Sequence, residues 1–382
     1  MQKNIIYVYN DAGYLLRLRG NLLRKMKDDG WRVLAAAPPG PAAAVLEDRG
    51  FGFRRLPFPR RGMNPLSDML LLLRLYRLYR RERPAIVHHF TIKPVVYGTL
   101  AARLAGVPGI VNGIPGLGYA FLRGGLLRFT AEILYRLALP RRGEVVFQNP
   151  EDRDHFLSRG MAAAGRTHVI CGSGVDTREF APSPGPSNGR PRRKESRSPD
   201  GATFAFIGRL LWDKGLSEFA SAAEAVKKSL PETRFLLAGG PDPGNPASVP
   251  VSWMKRRCAE IPMDWIGRVE DVRPVLAAAS VVVLPSYREG APRSLLEAAA
   301  MGKPLIASDV PGCREAVRHG ENGLLVPEKN AAALAEAMLK LAGDPKLRRR
   351  MGRAGRERAL RLFDERIVVR RTLEVYGRTG CL

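Results

Sequence analysis

The chain has 382 residues, 45% of them hydrophobic, and 62 Lys and Arg against 37 Asp and Glu give it a formal charge of +25. That length exceeds what one hydrophobic core serves, so two domains of ordinary size are expected. The four cysteines, Cys171, Cys258, Cys313 and Cys381, form no C-x-x-C pair and exclude a zinc ribbon or a disulfide framework, and aliphatic runs as short as 69–73 exclude a membrane-spanning helix.

In chain order, the opening MQKNIIYVYN reads as a buried first strand rather than a charged leader, which predicts a cytoplasmic protein. Short β-branched runs at 5–9, 33–37, 85–90, 109–114 and 144–148 predict buried strands, each followed by a helix-period stretch. That alternation means a parallel sheet with helical crossovers. Between these strands, 66–83 (LSDMLLLLRLYRLYRRER) has an apolar face, and Arg74, Arg77 and Arg81 fall on one helical stripe. A second segment, 122–142, again mixes Leu, Phe and Tyr with arginines. Each is either a core-facing helix with a solvated basic side or a helix lying in a membrane interface.

Residues 1–178 hold 28 Lys or Arg against 13 Asp or Glu, a surplus of 15. Such an imbalance suits an anionic membrane surface or nucleic acid, and codon bias toward Arg would also produce it. No stacked-aromatic ribonucleoprotein motif, zinc finger or basic zipper is present, so the membrane is the expected partner and nucleic acid is not. The segment 181–200, APSPGPSNGRPRRKESRSPD, is a basic linker expected to be disordered. Strands resume at 203–207, 234–238, 264–266, 281–284 and 304–308, and from 331 onward the pattern is helical, with breaks at Asp344-Pro345 and Phe363-Asp364. The expected domains are 1–180, 201–360 and a C-terminal helix at 361–382.

The second domain opens with a strand and then GRLLWDKG at 208–215. Glycine at a strand-to-helix turn, here Gly208, lets backbone approach a phosphate, and the following helix start offers free N–H groups. Arg209 and Lys214 add two charges that suit a diphosphate, although alone the turn is equally a surface loop. Its companion is EGAPRSLLE at 289–297, after the strand at 281–284. Gly290, Ala291 and Pro292 open a helix whose unpaired N–H groups suit phosphate or sugar hydroxyls, and Glu297, about two turns in, suits both ribose hydroxyls. In the first domain Gly13 sits in the turn after the first strand, where backbone can approach a phosphate. His88 and His89 end a strand and point to opposite faces. His89, nearer the C-terminal strand end where ligands bind, is the candidate for the cleft. Lys93 is a candidate for the acceptor phosphate or sugar, or else a solvated lysine.

The motif set GRLxxxKG, Glu289-x(7)-Glu297, Gly302-Lys303-Pro304, Asp309-Val310-Pro311-Gly312 and ENGLLVP at 321–327 resembles the donor domain of retaining glycosyltransferase family four. FTIKP at 90–94 and GIPGLGYAF at 113–121 are similar to loops of bacterial N-acetylgalactosaminyltransferases that extend undecaprenyl-diphosphate-linked bacillosamine. The resemblance implies a GT-B fold, two Rossmann-like α/β domains facing across a cleft, with the C-terminal helix returning to the first. It implies that Arg209 and Lys214 hold the donor diphosphate, Glu289 the transferred sugar or its backbone cradle, Glu297 the ribose, and the main chain at Arg268 and Val269 the uracil. Arg209, Lys214 and Glu289 with His89 make the expected catalytic set, Gly13 joins the residues expected to bind the donor, and Lys93, Gly118 and Tyr119 fall in loops that would meet the acceptor.

No Asp-x-Asp ends a strand to hold a metal, so neither metal nor other cofactor is expected. The inherited stereochemistry is retention, by front-side attack in which the leaving phosphate takes the acceptor proton. The expected substrates are a UDP-sugar and a saccharide on polyprenyl diphosphate, met at the inner face of the cytoplasmic membrane. A transferase with a soluble acceptor and a sugar-nucleotide epimerase of the same architecture are alternatives, the latter lacking the acid and base residues it needs. A basic nucleic-acid-binding protein would leave the paired glutamates unexplained.

Overall fold

The computed structural model describes residues 3–59, 62, 64–118, 121, 124–139, 143–182 and 201–382. Tyr119 and residues 183–200 of the expected linker lie outside the described residues. The chain divides into two units, Met1–Gly174 with Glu365–Leu382, and Val175–Asp364.

The first unit alternates β1 (Asn4–Val8), α1 (Ala12–Asp28), β2 (Arg32–Ala37), α2 (Ala42–Asp48), β3 (Gly52–Arg55), α3 (Pro65–Glu82), β4 (Ile86–Phe90), α4 (Ile92–Ala105) and β5 (Gly109–Ile114). It continues with α5 (Gly125–Ala138), β6 (Glu144–Phe147), α6 (Pro150–Ser158) and β7 (Thr167–Val169). All seven strands are parallel, in the order β3-β2-β1-β4-β5-β6-β7. Strand alternation separates two cores. Ile5 and Tyr7 pack with Leu15, Leu22 and Met26 of α1, whereas Ile6 and Val8 pack with Leu71, Leu75 and Tyr79 of α3.

The second unit contains β8 (Thr203–Ile207), α7 (Leu216–Ser229), β9 (Arg234–Ala238), α8 (Val251–Glu260), β10 (Asp264–Gly267), α9 (Arg273–Ala278) and β11 (Val281–Leu284). After these come α10 (Arg293–Ala300), β12 (Leu305–Ser308), α11 (Cys313–Ala316), β13 (Gly323–Val326), α12 (Ala331–Gly343) and α13 (Pro345–Arg358). Its six parallel strands run β10-β9-β8-β11-β12-β13. Asp344 caps α13 by accepting from Leu347 N, and a π-turn at Ala359–Phe363 ends before the last helix, α14 (Glu365–Gly377). Val368, Val375 and Tyr376 of α14 join the core of the first unit, so the C-terminal helix returns there as expected.

In each unit the strand order reverses at one point, between β1 and β4 and between β8 and β11, and ligands bind such sheets outside the carboxyl ends of the strands flanking that reversal. In the second unit the reversal requires close backbone packing. Gly215 has φ of 73°, and a Cβ there would overlap the carbonyl oxygen of Pro285. Gly215→Ala should therefore destabilise the second unit by on the order of 3 kcal/mol, from left-handed strain plus overpacking. Gly343→Ala, with nothing within 4 Å, is its control. Equal melting temperatures for the two variants would contradict the packing described here.

Candidate functional site

The turn after β8 and the turn after β11 face each other at the second unit's reversal point. Lys214, in a 3-10 turn at Trp212–Lys214, forms an ion pair with the carboxylate of Glu289. Ser286 Oγ lies 2.6 Å from Glu289 Oε1, and Tyr287 N donates to Asp213 O at 2.9 Å, which ties the two turns together. Gly312, with φ of 80°, supports Glu289 and Gly290 from beneath, where a Cβ would come within 2.5 Å of both carbonyl oxygens. Arg209 is more exposed and donates to Asp242 Oδ2 at 2.7 Å.

Pro292 is the N-cap of α10, with Gly290 buried and Ala291 half-buried just before it. The first N–H groups of α10 have no helical partner, so this end carries partial positive charge. Glu297, largely buried, accepts from Arg293 Nε at 2.6 Å one turn earlier. Arg268 is exposed and Val269 half-buried at the end of β10, where Gly267 O accepts from Gly239 N at 2.8 Å. Gly208 follows β8 directly and its N donates to Ala238 O. Thus all the candidate donor residues of the second unit stand at the carboxyl ends of β8, β10 and β11 or on α10. The cations Arg209 and Lys214 and the α10 N-terminus suit a diphosphate, and Glu297 suits a diol.

In the first unit Gly13 lies in the first turn of α1, capped by Asp11 accepting from Tyr14 N at 2.9 Å, rather than in a free turn. Gly118 is exposed with φ of 64°. Arg74 is half-buried and donates to Pro57 O, whereas Arg77 and Arg81 are exposed on α3.

Two assignments are corrected. His89 is fully buried between α3 and α4: its Nδ1 donates to Asn112 Oδ1 at 2.9 Å, which also accepts from Thr99 Oγ1, so its Nε2 accepts from Tyr79 OH at 2.9 Å. Both ring nitrogens are used internally, and His89 cannot act on a ligand. Strand alternation places His88 instead toward α1 and α14, beside a cavity. Lys93 is neither solvated nor open to an acceptor, because Nζ donates to buried Asp68 Oδ1 at 2.8 Å and Tyr97 OH donates to the other carboxylate oxygen.

Sequence reasoning missed Arg293, although an Arg four residues before a Glu on a helix is a visible signal. It missed Ser286 and Asp68, whose partners only the fold identifies. Cys313 is buried beside Glu289, and burial pushes its thiol well above the ordinary range, so it is no nucleophile.

Residues 189–358 match the family of glycosyl transferases group 1, and residues 18–172 match the glycosyl transferase 4-like domain. The chain is 28% identical to the N,N'-diacetylbacillosaminyl-diphospho-undecaprenol alpha-1,3-N-acetylgalactosaminyltransferase of Campylobacter jejuni, over 95% of this chain and 96% of that protein. It is 30% identical to alpha-maltose-1-phosphate synthase of Mycolicibacterium smegmatis, over 84% of this chain and 85% of that one. Among solved structures it is similar to Anabaena HepE in complex with UDP-glucose, with TM-score 0.76 and 19% identity, over 98% and 99% of the two chains.

The burial of His89 has a measurable consequence. Burial pushes its pKa down to about 4 from an ordinary 6.5. The neutral ring contributes full stability above pH 6.5, and that contribution is lost as pH falls toward 4, because the unfolded chain binds the proton first. Chemical denaturation at pH 7.5 and pH 5.0 should show wild type losing about 2 kcal/mol more than His89→Gln. Equal losses would show that His89 titrates normally.

Proposed function

The chain belongs to the group 1 glycosyltransferases, and on that premise we propose that it transfers a hexose or N-acetylhexosamine from a UDP-sugar to a saccharide carried on polyprenyl diphosphate. The observation that carries the donor half is the convergence of Arg209, Lys214 and the α10 N-terminus at one strand reversal. As the sugar–phosphate bond breaks, negative charge grows on the leaving diphosphate, and fixed cations with oriented N–H groups stabilise it without a metal. Glu297 then holds the ribose and the main chain at Arg268 and Val269 the uracil.

Retention by front-side attack fits the same geometry. Glu289 is engaged by Lys214 and Ser286, so it positions rather than attacks, and the leaving phosphate oxygen takes the proton of the acceptor hydroxyl.

The acceptor half rests on the Campylobacter relative, whose name gives a diphospho-undecaprenol acceptor, and on two surplus apolar stripes of the first unit. On α3, Leu71, Leu75 and Tyr79 fill the core, while Leu66 (83% exposed), Met69, Leu70 and Leu73 lie outside it. On α5, Leu126 (77% exposed), Phe129, Ile133 and Leu137 do the same. With Arg77 and Arg81 beside the first stripe, the chemistry suits an interfacial helix on an anionic membrane, which supports a peripheral position at the inner face of the cytoplasmic membrane. No helix among the described residues is long and apolar enough to cross a membrane. A free soluble saccharide leaves both stripes unexplained.

Arg209→Ala and Lys214→Ala should each lower turnover on the order of 100-fold, since each removes a positioned stabiliser of developing charge, and Arg209→Ala, at an exposed pair, should do so with unchanged melting temperature. EDTA should leave the rate unchanged. Near-normal rates in either variant, or loss in EDTA restored by Mg²⁺, would refute the donor mechanism.

In flotation with vesicles containing anionic lipid, wild type should bind at low salt and dissociate as salt rises. Replacing Leu66, Met69 and Leu70 with Ser, or Arg77 and Arg81 with Glu, should weaken binding. Unchanged flotation in both variants would remove the membrane from the proposal.

A further inference from the structure

A narrow cavity in the first unit has no place in the chemistry above. It is bounded by Arg19 of α1, His88 and Phe90 of β4, Gly113 of β5, Gln148 just after β6 and Thr372 of α14. It therefore opens among the carboxyl ends of β4, β5 and β6, the edge at which parallel sheets bind ligands. Its volume is about 10 Å³, room for the centre of one oxygen atom.

His88 is 2% exposed. Its Nδ1 lies 2.7 Å from Tyr376 OH, and its Nε2, bordering the cavity, has no hydrogen-bond partner among the described residues. Burial, reinforced by the charge of Arg19, holds the ring well below its ordinary pKa, so it is a neutral donor or acceptor. The Arg19 guanidinium stacks over Phe90 at 4.9 Å and borders the same space. Gly113 keeps the space open, since a Cβ there would lie 2.7 Å from the Phe90 ring and 3.4 Å from His88 Nε2.

These features select a chemical group. A buried ring nitrogen without a partner calls for one, whichever tautomer is present. A hydroxyl serves either tautomer, because it donates and accepts. An ammonium is disfavoured by the guanidinium, and a carboxylate exceeds the space.

We propose that His88 and Arg19 form a subsite for one hydroxyl of the saccharide acceptor, and that it makes the enzyme reject acceptors lacking that hydroxyl. The subsite rests on the saccharide-acceptor reading above. Water and the donor sugar also offer hydroxyls, and the test separates all three.

The acceptor used is an undecaprenyl-diphosphate-linked N-acetylhexosamine, with its full set of monodeoxy versions. Wild type should use one monodeoxy acceptor at least about 100-fold less efficiently in kcat/KM, as expected where a buried polar group is left unpaired. His88→Phe and Arg19→Met should shrink that discrimination to within about threefold, at that position alone. His88→Gln, which keeps a hydrogen-bonding group, should retain part of it. The KM for the UDP-sugar and its acceptor-independent hydrolysis should not change. Because His88 is buried, melting temperatures accompany each variant, and half-exposed Arg19 supplies the result if a His88 variant fails to fold.

Unchanged discrimination in folded Arg19→Met and His88→Gln would mean the cavity holds only water and would overturn the subsite. Loss of discrimination among deoxy donors instead would assign the hydroxyl to the donor and also overturn it. If wild type hydrolyses UDP-sugar but transfers to no saccharide, the acceptor reading itself fails, and the subsite with it.

Discussion

The ion pair between Lys214 and Glu289 is the contact on which the donor half depends. The two residues are 75 positions apart and meet only because β8 and β11 are neighbours at the strand reversal. Their turns must then approach without intervening side chains. Gly215 against Pro285 O, and Gly312 beneath Glu289 and Gly290, make that approach possible. Ser286 supplies a further hydroxyl to the same carboxylate oxygen of Glu289 that Lys214 engages. On the donor mechanism proposed above, an arriving diphosphate would meet a half-buried lysine already aimed, which Glu289 holds in place. Preorganisation of this kind is what makes a cation effective at the moment of bond cleavage.

The first unit shows the same strand arithmetic acting on two adjacent histidines. His88 and His89 are both buried in β4, and one residue of register sends them into different cores. His89 meets Tyr79 and Asn112 and completes a closed network between α3 and α4. His88 meets Tyr376 of the returning helix with one nitrogen and an opening with the other. Position along a strand sets which residue lies nearer the ligand edge, but the face matters more. The face is decided by which helices pack there, and α14 arrives from the far end of the chain.

That contrast defines what was legible in the sequence. Each of the ten expected strands appears, because short β-branched runs that alternate with helix-period segments have few other solutions than a parallel sheet. β3 and β7 were not foreseen: they are edge strands of four and three residues, and Arg54 and Arg55 give β3 no apolar run. β13 falls inside the ENGLLVP motif, whose glycine and proline mask its short apolar run. In the site, residues within one motif are readable, since Arg209 with Lys214, and Glu289 with Glu297, each fall in one short continuous segment. Partners from distant segments are not. Asp68 lies 25 residues before Lys93 and Tyr376 lies 288 after His88, and neither separation carries any local signal.

The buried pair of Lys93 and Asp68 changes what the FTIKP segment does. Thr91, just before α4, has φ of 70° and ψ of 159°, a conformation costly for a β-branched residue. Lys93 is fixed to α3 within the next turn, so the strained entry to α4 is anchored through a charge pair that water cannot easily exchange. Asp68 stands in the first turn of α3, between the exposed Leu66 and the exposed Met69 and Leu70. The apolar stripe that would meet lipid and the loop that begins α4 are therefore mechanically one piece. A lysine expected to touch substrate instead fixes the helix that would touch the membrane. On the acceptor reading proposed above, recognition would then fall to other groups of the first unit, among them His88, whose buried Nε2 has no hydrogen-bond partner among the described residues.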